Sequence, residues 1–171
     1  VPASLILAMI DVELSTAIAR ESILKEVLEK ANISDSYDYV LLDCPPSLSL
    51  ITLNAFTAST DIIIPLVSEV LPFKGLTMIT DFINMVKRKL NPMVKISGIL
   101  ITRWEGSKLS KGIEEKLREA LGDQVFNSKI RKNIRLAEAP LENRNIVDYD
   151  KSSNGAKDYI QFTEEFLSRI Q

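Results

Sequence analysis

The chain has 171 residues, 46% of them hydrophobic and 26% charged, with a formal net charge of −2; these are the proportions of an ordinary globular domain. With no histidine and one cysteine, Cys44, it excludes Ser-His-Asp and Cys-His catalysis, histidine-ligated metal, an intramolecular disulfide and a multi-cysteine metal site. No run of roughly 18 or more apolar residues occurs, so no membrane-spanning helix is expected, and the net charge leaves any nucleic-acid contact to a local basic patch.

The opening, Val1-Pro2-Ala3, has neither an initiating Met nor a signal-peptide pattern, and is expected to be a cut inside a longer protein. Ile23, Leu24, Val27, Leu28 and Ala31 share one face of a helix expected over about 18–31. The run 37–43, Tyr-Asp-Tyr-Val-Leu-Leu-Asp, is expected to be a strand, followed by strands at 61–67, 96–102 and, more weakly, 124–130. The runs are nearly continuous in apolar residues, as in parallel strands covered on both faces. Helices are expected at 73–90, ended by Asn91-Pro92, and around Ile113, Leu117, Ala120 and Leu121, ended by Gly122-Asp123. A last helix carries Tyr159, Thr163, Phe166, Leu167 and Ile170. The stretch 138–157, with Pro140, Asn143, Asn145, Asn154 and Gly155, is expected to be an ordered surface crossing. Strands alternating with helices give an α/β class: a doubly wound, mainly parallel sheet with helices on both faces.

Open parallel sheets bind ligands at the carboxyl ends of their strands, and Tyr39-Val40-Leu41-Leu42 would bring Asp43 to such a place. Two readings are open there. Asp43 directs Mg²⁺ through its water shell beside nucleotide phosphates, or it is a capping or structural carboxylate after a strand. Pro45 and Pro46 stiffen the exit, and Ser47 is placed to cap a helix starting near Leu48. Cys44, without a histidine partner, reads as a small buried residue.

The segment Tyr37-Asp38-Tyr39-Val40-Leu41-Leu42-Asp43-Cys44-Pro45-Pro46-Ser47-Leu48 resembles the Walker B region of ParA/Soj-type partitioning ATPases, in the deviant Walker A group that also includes MinD. The resemblance continues in order along nearly the whole chain. Before this segment it takes in Pro2-Ala3-Ser4, Leu7-Ala8, Glu13-Leu14, Arg20-Glu21 and Leu24. After it come Asn54-Ala55, Pro65, Glu69, Gly75-Leu76 and Gly98-Ile99-Leu100-Ile101-Thr102-Arg103. Asn133-Ile134-Arg135-Leu136-Ala137-Glu138-Ala139-Pro140, Tyr149-Asp150, Ser152, Gly155-Ala156 and Tyr159 complete it. The family's phosphate-binding loop is not matched. None of the six glycines is followed by Lys-Ser or Lys-Thr, so these residues by themselves offer phosphates no cradle of backbone N–H groups. The resemblance implies that residues 1–171 are the C-terminal portion of one P-loop NTPase-like domain, truncated at the N-terminus. It implies that the intact parent hydrolyses ATP with Mg²⁺ and that this fragment alone does not.

By position in the family, Asp43, Pro45 and Pro46 would face the nucleotide and its Mg²⁺, and Asp43 would be catalytic. Thr102 with Arg103, and the turn of Ile130, Arg131 and Asn133, would face the base. Arg103 also reads simply as a solvated arginine, and Trp104 beside it as partly buried. Lys129-Ile130-Arg131-Lys132-Asn133-Ile134-Arg135 holds four cations and no acid, which is either a solvated face or a phosphate-binding patch. The resemblance implies non-specific DNA binding through Arg103, Lys108, Lys111, Arg131, Lys132 and Arg135. Family members often carry arginine or lysine where this chain has Ser107. Lys87-Arg88-Lys89 reads as charge complementing a helix C-terminus.

The family further implies a homodimer, a ParB-like stimulating protein, and a cytoplasmic, nucleoid-associated protein without a membrane anchor. Two other readings compete. One is a MinD-like membrane-cycling ATPase, although the tail around Glu164-Glu165 is acidic where a lipid-facing helix is basic. The other is a non-catalytic interaction module without a phosphate loop.

Overall fold

The computed structural model describes residues 10–68 and 72–170, with the side chains of 72–74 left aside. Pro2-Ala3-Ser4, Leu7-Ala8 and Glu69 of the family pattern lie outside the described residues. In chain order the helices are α1 (Ile10–Ser15), α2 (Ile23–Lys30), α3 (Leu50–Ala58), α4 (Pro72–Lys89), α5 (Lys108–Leu121), α6 (Arg135–Glu138), α7 (Ile146–Tyr149) and α8 (Asn154–Ile170). The strands β1 (Asp61–Val67), β2 (Lys95–Trp104) and β3 (Val125–Arg131) form one sheet in the order β1-β2-β3. β2 and β3 run parallel, and the sheet with its helices is of the expected α/β class.

The chain divides into two compact units, 1–61 with 76–95, and 62–75 with 96–171. In the first, side chains distant in sequence satisfy the helix ends. Neither Ser22 before α2 nor Ser49 before α3 makes a side-chain cap. Asn54 accepts from the Leu24 N–H of α2 at 3.1 Å and donates to Arg20 O at 2.7 Å. Asp11 accepts from the Ile51 N–H of α3 at 3.0 Å, placing a carboxylate at the positive end of that helix. At the other end of α3, the Asn91 amide donates to Phe56 O, Thr57 O and Ser59 O at 3.2, 3.0 and 2.6 Å. Helix termini leave such groups unpaired, and buried they are costly unless a donor reaches them.

The strand expected at 37–43 does not form among the described residues. Those residues have no ladder partner among the described residues, and Tyr37, Tyr39, Val40 and Leu41 are exposed. An apolar run becomes a strand only when a neighbouring strand satisfies its N–H and C=O groups. Two helix starts also differ. The helix expected from Leu48 begins at Leu50, and Ser47 contributes its carbonyl, accepting from the Thr52 hydroxyl at 2.6 Å. The helix expected over 18–31 is confined to Ile23–Lys30. Cys44, expected to be buried, is only half-buried.

In the second unit Leu100, Phe126 and Ile130 form a buried cluster, packed by Ile63, Leu136, Phe162 and Phe166. The Phe126 ring meets Phe162 edge-on with centroids 5.0 Å apart. Gly98 on β2 lets that ring lie against the backbone, since a Cβ there would stand 2.5 Å from it. Gly155 on α8 is needed in the same way, because its Cβ would meet Leu136 at 2.8 Å.

The register of β2 and β3 shifts between Ile99↔Val125 and Ile101↔Lys129, so β3 bulges around 126–128. The bulge directs two successive N–H groups, those of Asn127 and Ser128, to the Glu165 carboxylate at 2.8 and 2.7 Å. Burial pushes the Glu165 carboxyl up, but the bonds from Ser128, the Asn127 N–H and Arg169 outweigh it and hold it at about 2. Arg169 in turn donates to Asp123 O and Val125 O at 2.8 and 3.3 Å.

Two outcomes follow from these contacts. Asn91→Ala is expected to cost about 1–3 kcal/mol by leaving the last carbonyls of α3 without a donor, read as a lower denaturation midpoint. Glu165 ionises more readily folded than unfolded, so its stabilisation is complete above roughly pH 5 and lost as pH falls through about 2. Glu165→Gln is therefore expected to lower Tm most above roughly pH 5, with the gap from the unsubstituted chain closing in stronger acid. A pH-independent gap would contradict this account.

Candidate functional site

The second unit gathers most of the sequence-predicted residues where β2 and β3 end. Thr102 is half-buried on β2, and its hydroxyl donates to Leu66 O of β1 at 3.3 Å. Arg103 is exposed with φ 51°, a left-handed conformation uncommon outside glycine. Its carbonyl accepts from the Ser68 hydroxyl at 3.4 Å. Trp104 is partly buried, as expected, with the Lys129 ammonium 4.1 Å above its ring. The Trp104 indole N–H is buried without a hydrogen-bond partner among the described residues. The Lys132 N–H donates to Trp104 O at 3.0 Å, carrying the strand pairing one residue past β3.

Ile130 is buried in the core, so only its backbone is available to a ligand. Asn133 turns the chain into α6, its side-chain oxygen accepting from the Arg135 N–H at 2.8 Å. Lys108 and Lys111 are exposed in the first turn of α5, which Ser107 caps by accepting from the Ser110 N–H at 3.1 Å. An open cleft of about 290 Å³ is lined by Trp104, Glu105, Arg131, Lys132 and Asn154.

The cations of the 129–135 run are brought together with acids. Arg131 grips Asp158 of α8 through Nε and Nη2, the closest contact 2.6 Å, while its own N–H donates to the same carboxylate at 2.9 Å. The hydrogen bonds that Arg131 donates to Asp158 push its guanidinium above its ordinary value. Lys129 bridges to Glu114 at 2.7 Å and Lys132 to Glu105 at 2.5 Å. Arg135 bridges to Glu138 at 2.8 Å and Asp150 at 3.6 Å. Burial pushes Glu114 up, but the bonds from Lys129 and Arg118 hold it below its ordinary range. Asp150 is held low chiefly by the Ser152 hydroxyl.

The sequence gives little sign that these acids face the basic run. Arg135 and Glu138 are three residues apart on one helix, a spacing that signals contact. Nothing in the sequence marks Asp158, 27 residues from Arg131.

Asp43, Pro45 and Pro46 belong to the first unit, where all three are exposed in a segment outside helix and strand, with Pro46 at a bend. Burial and then the Asp43 charge push the Cys44 thiol up, which leaves it a poor nucleophile. No group of three or more His, Cys, Asp or Glu among the described residues could hold a metal ion by itself. Mg²⁺ does not need one: it keeps most of its waters and is held by one or two carboxylates with substrate phosphates. A single exposed carboxylate fits that role.

A family model described as an AAA domain matches residues 1–96. The sporulation initiation inhibitor protein Soj of Bacillus subtilis is 36% identical over 167 residues, 96% of this chain and 65% of Soj. The chromosome partitioning protein ParA of Caulobacter vibrioides is 34% identical over 170 residues, 99% of this chain and 64% of ParA. The chain thus spans a little under two thirds of these relatives. Among solved structures, cobyrinic acid a,c-diamide synthase from Mycobacterium smegmatis, bound to an ATP analogue and magnesium, superposes with a TM-score of 0.79 at 29% identity. That superposition covers 97% of this chain and 60% of the synthase. The chain belongs to the AAA-domain family whose model it matches, and Soj and ParA are its homologues.

Proposed function

We propose that these residues form the C-terminal portion of one nucleotide-binding domain, and that the full-length protein is an ATP-dependent DNA-partitioning ATPase. The observation that carries this reading is the match to Soj and ParA across nearly the whole chain, at 36% and 34% identity. Asp43 orients the water shell of Mg²⁺, and Pro45 and Pro46 fix the segment that presents it. Thr102, Arg103 and the turn of Ile130, Arg131 and Asn133 form the base side of the nucleotide site. Bound Mg²⁺ supplies charge neutralisation at the phosphates. The 171 residues hold no phosphate-binding loop, so hydrolysis belongs to the full-length protein.

In this reading a homodimer in the cytoplasm binds the nucleoid through Arg103, Lys108, Lys111, Arg131, Lys132 and Arg135. A ParB-like protein stimulates hydrolysis and release. No described helix is long and apolar enough to cross a membrane. The MinD-like alternative gains little from α8, which seats Phe162 and Phe166 against Phe126.

The test is binding of the full-length protein to random-sequence duplex DNA, with and without Mg-ATP, over a salt series. Binding that requires Mg-ATP and weakens steeply with salt is expected. Asp43→Asn is expected to lower ATP turnover by roughly 10–100-fold, as losses of outer-sphere metal partners do. Binding indifferent to both ATP and salt would overturn the reading, and sedimentation with anionic liposomes would favour the membrane alternative.

A further inference from the structure

All four cations between Lys129 and Arg135 are held by carboxylates of the same molecule: Glu114, Asp158, Glu105, and the pair Glu138 and Asp150. The run that is purely basic in sequence is therefore charge-compensated as folded. A polyanion must displace a carboxylate before it gains a cation here.

The four pairs differ in how readily they open. Asp158 is 7% exposed, and removing Arg131 from it would strand a buried charge. Glu114 is 14% exposed and also holds Arg118, so withdrawing Lys129 would unbalance a three-membered network. Arg135 is held by two acids at once. Lys132 and Glu105 are 60% and 49% exposed and joined by one contact. Water can take over a carboxylate so exposed at little cost, and exposed pairs of this kind contribute little to stability. The cleft of about 290 Å³ between Trp104, Glu105, Arg131, Lys132 and Asn154 leaves room beside this pair for a phosphate group. Lys132 holds Glu105 below its ordinary range, first by hydrogen bond and then by charge, so the competitor is fully ionised at neutral pH.

We propose that Glu105 is an affinity-setting residue of the polyanion-binding surface: its carboxylate competes with backbone phosphates for Lys132, so the protein holds DNA more weakly than its basic run would allow. The proposal rests on the DNA-binding reading above and adds to it an internal competitor that keeps binding weak and salt-sensitive.

Glu105→Gln keeps the size of the side chain and removes the competing charge. One further phosphate contact steepens the slope of log K against log salt by about 0.9, which amounts to ~8-fold tighter binding near 0.1 M salt and to convergence with the unsubstituted protein near 1 M. The full-length protein is titrated into random-sequence duplex DNA with Mg-ATP across a salt series, and its elution from heparin, a polyanion without bases, is measured in parallel. Glu105→Gln is expected to tighten both with the steeper slope, and Glu105→Asp to leave both near the original values. Glu164→Gln on the exposed face of α8 controls for net charge. The gain is expected to vanish when Lys132→Ala is added to Glu105→Gln.

Equal DNA affinity for Glu105→Gln and the unsubstituted protein overturns the proposal and leaves the DNA-binding reading standing. An equal gain from Glu164→Gln, or a gain that survives Lys132→Ala, also overturns it by exposing a general charge effect. If DNA is not bound at all but Glu105→Gln still delays elution from heparin, the competition stands and the DNA reading falls.

Discussion

Two carboxylates of α8, Asp158 and Glu165, hold the outer side of β3, and the end of the sheet depends on their spacing. Seven residues along a helix advance about 10.5 Å, and the N–H groups they receive, at residues 127–128 and 131, lie about 10–13 Å apart along a strand. The helix runs antiparallel to the strand, so Glu165 meets Asn127 and Ser128 while Asp158 meets Arg131. Arg169 continues the contact to the carbonyls of Asp123 and Val125. Unpaired strand groups at an edge invite association with other chains, and α8 satisfies several of them with side chains where a further strand would have used backbone. Close seating is required, and Gly155 beneath Leu136 and Gly98 beneath Phe126 permit it.

The same arrangement decides what the candidate site can present. Asp158 binds both the backbone N–H and the guanidinium of Arg131, and so anchors the end of β3 where the turn begins. Arg131 is thereby held in place at the rim, with its side chain still partly open to a ligand. The left-handed Arg103 performs a related task at the end of β2, turning the chain so that Trp104 lies beneath Lys129. Charges that look equivalent in sequence thus divide into those that build the rim of the cleft and those that remain displaceable.

How far the sequence could be read follows from the range of the interactions. The runs at 61–67, 96–102 and 124–130 closely foretell β1, β2 and β3, although only β2 buries consecutive residues, 98–101, while β1 and most of β3 bury alternate ones. Amphipathic stripes likewise mark α4, α5 and α8, and Lys87-Arg88-Lys89 does occupy the last turn of α4. The run at 37–43 carries the same apolar signal without the result, since composition records a preference for burial and not the presence of a partner strand. Helix ends were least legible: α2 and α3 are capped by Asn54, Asp11 and Asn91, residues 30 or more positions from the groups they satisfy. The acids opposite the basic run were hidden for the same reason, apart from Glu138 within one helical turn of Arg135.

Distance in sequence also bears on Asp43. The motif proposed for it is local, carried by the neighbouring residues Cys44, Pro45 and Pro46. A carboxylate that acts on Mg²⁺ through water tolerates exposure, since the ion retains its own hydration shell and its tightest partners are phosphates. Exposure of Asp43 is therefore compatible with such a role, whereas a directly ligating cluster would have required several converging side chains. The basic run shows the converse, where a motif readable in one stretch is redefined by acids elsewhere in the chain. A local motif is least altered by the rest of the fold where the chemistry it suggests needs few partners, as proposed for Asp43. It is most altered where acids from elsewhere in the chain intervene, as they do for the cations of 129–135.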